Sequence, residues 1–432
     1  MKIMEKIDLR KLQVCVVDNG QFHSMAEHIA KSFGKVFYYT RWDCKGFADP
    51  KDKFPGFGML NVTTIEYLFG KDEKTGYDFN KIDLFCFFDL YFGDIQDHLA
   101  SIGKNVWGCR SSEKLELDRW FFVNKLKELG LPVVKTAHKV GIDALRSYLK
   151  QNKNQYVKIS KFRNVRETFK SKSYDIVEDT INDIEHDYGD ISKLLEFNIQ
   201  DQIKALSEIG YDSYTINGQY PKNSIFGIEL KDIAYLCKTL QYDELPKILR
   251  TINERFSDYF KETNCRGFIS NEVRMVSKIL GYYTDASQRN PSPPSELYQV
   301  LYKNLPEIMY YGATGQLVEP EYTAKYAGEV IVCSHELEEG EMIHVKIPDS
   351  IKEWVKLRYS CLIDGKYSCI PRGFSEVGAI VAIGNTLKEV TDNLTKYSEI
   401  FMDNNFDLEI KIDKIDTAIE EIKKTAQFGV SF

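Results

Sequence analysis

Residues 82–88, Ile-Asp-Leu-Phe-Cys-Phe-Phe, are apolar at every position but Asp83. A strand with one wet face alternates apolar and polar residues. An unbroken β-rich run of this kind instead fits a strand covered on both faces, as in a parallel sheet flanked by helices. The neighbouring segments agree. Residues 12–17, Leu-Gln-Val-Cys-Val-Val, are a second β-rich run, closed by the turn signal Asp18-Asn19-Gly20. Residues 24–33 show helical spacing with Ser24 placed to cap them. Residues 36–40 and 105–107 read as strands and 95–102 as a helix. Strands alternating with helices predict a doubly wound α/β lobe over residues 1–134.

Residues 115–129 read as one helix ended by Gly130, with Leu131-Pro132 marking the break. Beyond it the pattern changes to strand pairs with helices between them. Residues 156–160 form a strand with Lys158 at its centre, and residues 212–217 form one closed by Asn217-Gly218, a strong hairpin signal. Residues 245–262 read as a long amphipathic helix, and 267–276 with 281–284 as a two-strand unit. An α+β core over 135–318 follows, then a small C-terminal α/β domain over 319–432, with a strand at 378–383 and a helix at 386–400.

Composition narrows the partners. A formal charge of -7 and a pI near 5.7 argue against a protein that grips duplex nucleic acid by its phosphates. The nine cysteines are scattered without a CxxC pair, which fits reduced thiols in the cytoplasm. The charged opening residues lack an apolar core of signal length, and no apolar run is long enough for a bilayer, so no membrane partner is expected.

Three charged clusters carry chemistry. Lys158 is followed by the basic stretch Lys161-Phe-Arg-Asn-Val-Arg166, so Arg163 and Arg166 stand near it. A lysine in a strand is usually a solvated face residue, but several cations converging from strand and loop suit a polyphosphate. Glu272 in Asn271-Glu-Val-Arg274 and Asp285 in Asp285-Ala-Ser-Gln-Arg289 come from paired strands. Two facing carboxylates can share a Mg2+ that also binds phosphate oxygens. Arg274 and Arg289 follow at even offsets, which on a strand return to the same face; surface salt bridges are the plainer alternative. Ser207-Glu-Ile-Gly-Tyr-Asp212, with Glu208 and Asp212, reads as acidic residues on a strand after a glycine turn, where they could receive ribose hydroxyls or hold the lysine; a plain hairpin with charged edges is the alternative.

In this order the clusters resemble the ATP-grasp superfamily, and within it the phosphoribosylamine–glycine ligases (glycinamide ribonucleotide synthetases). Asn105-Val-Trp-Gly-Cys-Arg-Ser-Ser112, Leu115-Glu-Leu-Asp-Arg119 and Gly130-Leu-Pro132 look like that family's link into its ATP-grasp core. The resemblance sets Lys158 on the core lysine at the ATP phosphates, Arg119 on the family's other ATP-binding lysine, and Asp212 on its acidic Gly-x-Glu-like position. Asp285-Ala-Ser-Gln-Arg289 is similar to the Glu-x-Asn-x-Arg metal motif, with Glu272 as the preceding metal ligand. A second registration sets Ser270-Asn-Glu272-Val-Arg274 on that motif instead. Residues 370–387, Ile-Pro-Arg-Gly-Phe-Ser-Glu-Val-Gly-Ala-Ile-Val-Ala-Ile-Gly-Asn-Thr-Leu, look like the C-terminal Gly-Gly-Arg-Val-Leu segment.

The chain departs from that pattern in two loops. Val17-Asp-Asn-Gly-Gln-Phe-His23 keeps one glycine of the opening Gly-rich loop, and Lys161–Arg166 contains none. Divergent synthetase-like chains of this sort are familiar among phage-encoded proteins. The resemblance implies a cytoplasmic ligase, monomer or homodimer, that uses ATP and Mg2+ to join a small-molecule carboxylate to an amine through an acylphosphate. Arg119, Lys158, Arg163, Arg166, Glu208 and Asp212 would bind the nucleotide, Glu272 and Asp285 the metal, and Arg289 and Arg274 the reacting groups. Purine biosynthesis as an authentic phosphoribosylamine–glycine ligase is one alternative, and a catalytically silent nucleotide-binding relative is another.

Overall fold

The computed structural model describes residues 7–41, 55–59, 61–161, 167–231 and 233–432. Its N-terminal sheet is parallel and contains β1 (Gln13–Asp18), β2 (Lys35–Thr40), β3 (Val62–Ile65), β4 (Leu84–Phe87) and β5 (Val106–Trp107), in the order β3-β2-β1-β4-β5. All four residues of β4 are buried, as its apolar run requires. Strand order reverses between β1 and β4, the crevice where doubly wound sheets take their ligands.

The first helix, α1 (His23–Ile29), begins one residue before the expected cap. Ser24 does not cap it. Its Oγ accepts from Gln299 Nε2 at 2.9 Å, and Asp18 Oδ2 takes the Phe22 N–H at 2.8 Å.

Asp18 is fully buried at the carboxyl end of β1 and also accepts the Tyr38 hydroxyl at 2.7 Å. Burial, then the charge of Asp89, pushes its carboxyl up to about 7. An unfolded aspartate titrates at about 3.9, so the folded chain holds this proton more tightly. The stability Asp18 supplies is therefore full below about pH 4 and lost as pH rises through about 7. Asp18→Asn, which cannot ionise, should shrink the fall in unfolding free energy between pH 5 and pH 8, measured by urea titration. An equal fall in both proteins would show that Asp18 does not titrate there.

After α2 (Gly93–Ser101), the expected single helix over 115–129 is two: a turn at Lys114–Leu117 and α3 (Arg119–Glu128). Asp118 breaks them apart. Its backbone is extended, and its Oδ1 accepts the Phe121 N–H at 2.8 Å as an N-cap. A four-stranded antiparallel sheet follows, from β6 (Thr136–Val140), β7 (Gln155–Ile159), β8 (Thr168–Ser171) and β9 (Glu196–Asp201), ordered β8-β7-β9-β6. Helices α4 (Ile142–Gln151) and α5 (Tyr174–Tyr188) bury Leu145, Leu149, Ile181 and Ile184 against it.

Among the described residues the largest sheet has nine strands, eight on one path and a ninth, Glu409–Ile410, paired off it with Val332 and Cys333. Its path uses β10 (Ser207–Ile216), β11 (Asn223–Leu230), β12 (Ala234–Gln241), β13 (Arg266–Met275), β14 (Gly281–Ser287), β15 (Tyr326–Cys333), β16 (Val355–Leu357) and β17 (Glu376–Gly384). Their order is β14-β13-β10-β11-β12-β15-β17-β16, so one sheet takes strands from both sides of residue 318. The hairpin expected at Asn217-Gly218 is present, with φ of 53° and 79°; both are positive, as a two-residue turn of this hand demands. Gly210 is not a turn residue but lies inside β10.

Helix α6 (Lys247–Glu262) covers the back of this sheet. It buries Leu249, Ile252, Phe256 and Phe260, whose spacing of three and four residues makes one apolar stripe. Thr386 and Glu389 form a capping box at the start of α7 (Leu387–Met402).

Candidate active site

The three sheets meet around a cleft of about 1110 Å3. One wall is the four-stranded sheet, through Tyr156, Lys158, Phe169 and Gln200. The facing wall is the nine-stranded sheet, through Glu208, Glu272, Arg274 and Asp285. Loops after β1 and β4 close one end with Gln21 and Asp89, at the strand-order reversal. Arg358, Tyr359 and Arg372 reach in from the C-terminal part.

The carboxylates are set by a bulge. Glu272 on β13 pairs directly with Asp285 on β14, and the next pair is Val273 with Tyr283, so Thr284 is an extra residue without a partner. Tyr283 and Ala286 point into the core beside α6 while Asp285 and Ser287 face out. In an unbulged strand Asp285 would share a face with Tyr283. The bulge therefore turns Asp285 onto the same face as Glu272. It also frees the Thr284 carbonyl, which accepts Lys158 Nζ at 2.7 Å across the cleft.

Lys158 Nζ lies 3.7 Å from Asp285 Oδ2, and Arg119 Nη1 binds Asp285 Oδ1 at 2.8 Å. Asp285 thus sits between two cations. Desolvation, helped by Arg119 and Arg274, lowers the Lys158 pKa against the pull of Asp285. The Asp118 break makes Arg119 the first residue of α3, and its N–H bonds to Ser160 Oγ at 3.2 Å. The Arg119 side chain is only 4% exposed and does not line the cleft; it stands behind the wall, between Asp285 and Glu167, whose Oε1 is 3.6 Å from Nη2.

Glu208 and Arg274 lie on the cleft wall, joined at 2.8 Å. Burial, then the neighbouring charges of Glu208 and Asp285, raises the Glu272 carboxyl well above the usual carboxylate range, with Arg274 opposing. Asp212 is elsewhere. It is 3% exposed, its Oδ2 accepts the Tyr235 hydroxyl at 2.6 Å, and it is not among the cleft-lining residues. Burial pushes its carboxyl up to about 6. Arg163 and Arg166 lie outside the described residues.

Arg289 reaches the cleft, but not by strand parity, because β14 ends at Ser287. Glu116 holds it instead: Arg289 Nε donates to Glu116 Oε1 at 3.2 Å, while Nη1 reaches Gln21 at 3.1 Å and Asp89 at 3.4 Å. Burial alone would lower the guanidinium pKa; Glu116 and Asp89 outweigh it and raise it. Glu116 is 1% exposed and also takes the Gln288 N–H at 2.7 Å. The sequence offered two signals for these partners. Glu116 is a carboxylate inside an apolar helical turn, and Asp89 ends the most apolar strand.

Among the described residues, no three His, Cys, Asp or Glu converge as a metal cage. Mg2+ needs no such cage, since it takes one or two carboxylates and leaves other positions to phosphate and water. Burial, then the charges of Glu208 and Asp285, raises the Glu272 carboxyl, and a divalent cation shared by Glu272 and Asp285 would offset that repulsion.

No family model matches the chain, and no curated protein matches it. Solved structures do. Phosphoribosylamine–glycine ligase from Thermotoga maritima is similar at 15% identity, covering 92% of this chain and 97% of that one, with a TM-score of 0.64. Biotin carboxylase from Campylobacter jejuni, solved as a β,γ-ATP complex, is similar at 11% identity over 91% and 92% of the chains, TM-score 0.60. An ADP complex of N5-carboxyaminoimidazole ribonucleotide synthetase is similar at 12% identity over 91% and 98%, TM-score 0.61. The fold is therefore the multidomain α/β and α+β architecture of ATP-grasp proteins.

Proposed function

We propose that this chain is an ATP-dependent ligase that forms a C–N bond between a carboxylate and an amine. The observation that carries the reading is the cross-cleft arrangement at Asp285. One carboxylate is held by Lys158 and Arg119 and stands in register with Glu272 on the wall of a cleft large enough for a nucleotide and a second substrate. The ADP- and ATP-bound neighbours of the same fold support it.

In this reading Lys158 neutralises phosphate oxygens from the four-stranded wall, and Glu272 and Asp285 hold Mg2+ from the facing wall. Bound there, Mg2+ supplies charge neutralisation across the phosphates. The base is received among Tyr156, Phe169, Gln200 and Asp201, which line the cleft. Arg119 is a positioning residue that fixes Asp285 from behind. Arg289, locked by Glu116, faces the group being activated. The carboxylate takes the terminal phosphoryl group and ADP leaves; the amine then attacks the acyl carbon, and phosphate leaves as the amide forms. The work is positioning and electrostatics, which rigid, buried partners provide.

Glycine with phosphoribosylamine is the first pair to try, because the Thermotoga neighbour carries that name. A screen of ADP release over carboxylates and amines tests the reading: release that needs both substrates supports it. ADP release that never depends on an amine, with nucleotide binding intact, would favour a nucleotide-binding role without ligation.

Lys158→Met keeps most of the stem and removes the charge. It should weaken ATP binding at least ~10-fold by calorimetry, equivalent to about 1.4 kcal/mol. An unchanged affinity would mean that Lys158 only braces the Thr284 bulge.

A further inference from the structure

A pair of thiols lies away from the cleft, where the N-terminal sheet meets the nine-stranded one. Gly108 and Arg266 exchange both backbone hydrogen bonds, at 2.8 Å and 3.1 Å, in an isolated antiparallel bridge. Positions next to such a pair are the non-hydrogen-bonded kind, where Cα atoms approach to about 4.5 Å and side chains share a face. Cys109 and Cys265 occupy those positions. A disulfide requires a Cα separation of about 4.4–6.8 Å, the range of such opposed positions, and the two thiols are already in hydrogen-bond contact. The diagonal neighbour is Gly267, where a Cβ would stand 3.2 Å from Cys109 Sγ. Glycine there makes room for Cys109 Sγ where it stands, within 3.1 Å of the Phe268 carbonyl and in contact with the Cys265 thiol.

The surroundings favour one of the two as thiolate. Cys109 and Cys265 are 3% and 0% exposed. Beside them Arg110 is 4% exposed, held at a φ of 54°, with its Nε lacking a hydrogen-bond partner. Burial raises the Cys265 thiol, but contacts from Cys109 and Ser112 and the charge of Arg110 bring it below its ordinary value. Cys15, Cys86, Cys109, Cys237, Cys333 and Cys369 are all shifted upward instead. Thiolate character selects which cysteine an oxidant attacks.

We propose that Cys109 and Cys265 are a redox-modifiable pair, closed to a disulfide by a hydroperoxide and joining the end of β5 to the start of β13. The Cys265 thiolate attacks one peroxide oxygen, breaking the O–O bond and leaving a sulfenic acid and hydroxide. The Cys109 sulfur then displaces the sulfenic hydroxyl, which leaves as water with the thiol proton. In sum two thiols are oxidised and one hydrogen peroxide is reduced to two waters. The bond closes next to the Arg289 support: Ser112 Oγ lies 3.1 Å from Gln288 Oε1, and Gln288 N–H is bonded to Glu116. This inference is independent of the ligase reading.

The test treats the reduced, folded full chain with hydrogen peroxide, then alkylates it after denaturation and maps the digested peptides by mass. The expected result is a disulfide-linked peptide pair carrying Cys109 and Cys265, with two of the nine thiols lost to alkylation and both restored by dithiothreitol. Cys265→Ser should lose the linked pair without gaining another. Recovery of both residues as free thiols, at a peroxide dose that already oxidises methionines, would overturn the proposal. So would conversion of either to a sulfinic acid without the link, or a predominant link between other cysteines.

Discussion

Glu272→Gln is expected to cut ADP release at least ~100-fold, the scale of losing a preorganised charge at the reacting phosphates, while the fold stays as stable as before. The two halves of this outcome have one cause. Burial and the charges of Glu208 and Asp285 already make the Glu272 anion costly, so a neutral amide of the same shape relieves repulsion. The same substitution removes a negative ligand that a divalent cation needs. Asp285→Asn should lose as much activity but also cost about 1–3 kcal/mol of stability, because buried Arg119 would lose the nearer of its two carboxylate partners. Urea denaturation alongside the ADP assay separates the two effects. Normal ADP release by Glu272→Gln would take Glu272 out of the metal site.

The largest effect on stability is expected from Arg358→Leu. Arg358 is 2% exposed, with Nε on Glu296 at 2.6 Å and Nη1 3.6 Å from Glu376. Glu329, fully buried nearby, is pushed well above the carboxylate range by burial and then by Glu296. Removing this cation leaves Glu296 buried without its ion-pair partner, a loss of about 3–5 kcal/mol. Arg358→Leu with Glu296→Leu should recover much of it, since replacing a whole buried pair by apolar residues is often close to neutral. A double variant no more stable than the single one would show that Glu296 is not what Arg358 neutralises.

Much of the fold was legible, and the reason is periodicity. The unbroken apolar run at 82–88 marked a strand covered on both faces, and Asn217-Gly218 marked its hairpin, because each leaves a local trace. The pairing of Glu272 with Asp285 followed from reading two strands as one unit. What the sequence reading missed was one local cap and several contacts far apart in sequence. The helix over 115–129 breaks at Asp118 because that side chain caps a second start and delivers Arg119 to Ser160. Asp212 resembles a cleft acid in sequence, yet Tyr235 holds it inside the sheet. Arg289 needed Glu116, which no local spacing links to it.

The extra residue at Thr284 sets which changes in length related sequences could tolerate. An insertion in the turn between β13 and β14, around Lys278-Ile-Leu280, lengthens an exposed connection and leaves the pairing of Glu272 with Asp285 intact. Deleting Thr284 alone would restore an even ladder that keeps Asp285 opposite Glu272, but it would remove the freed carbonyl that accepts Lys158 from across the cleft. The chain should therefore accept several residues in that turn more readily than it accepts the loss of one in the neighbouring strand.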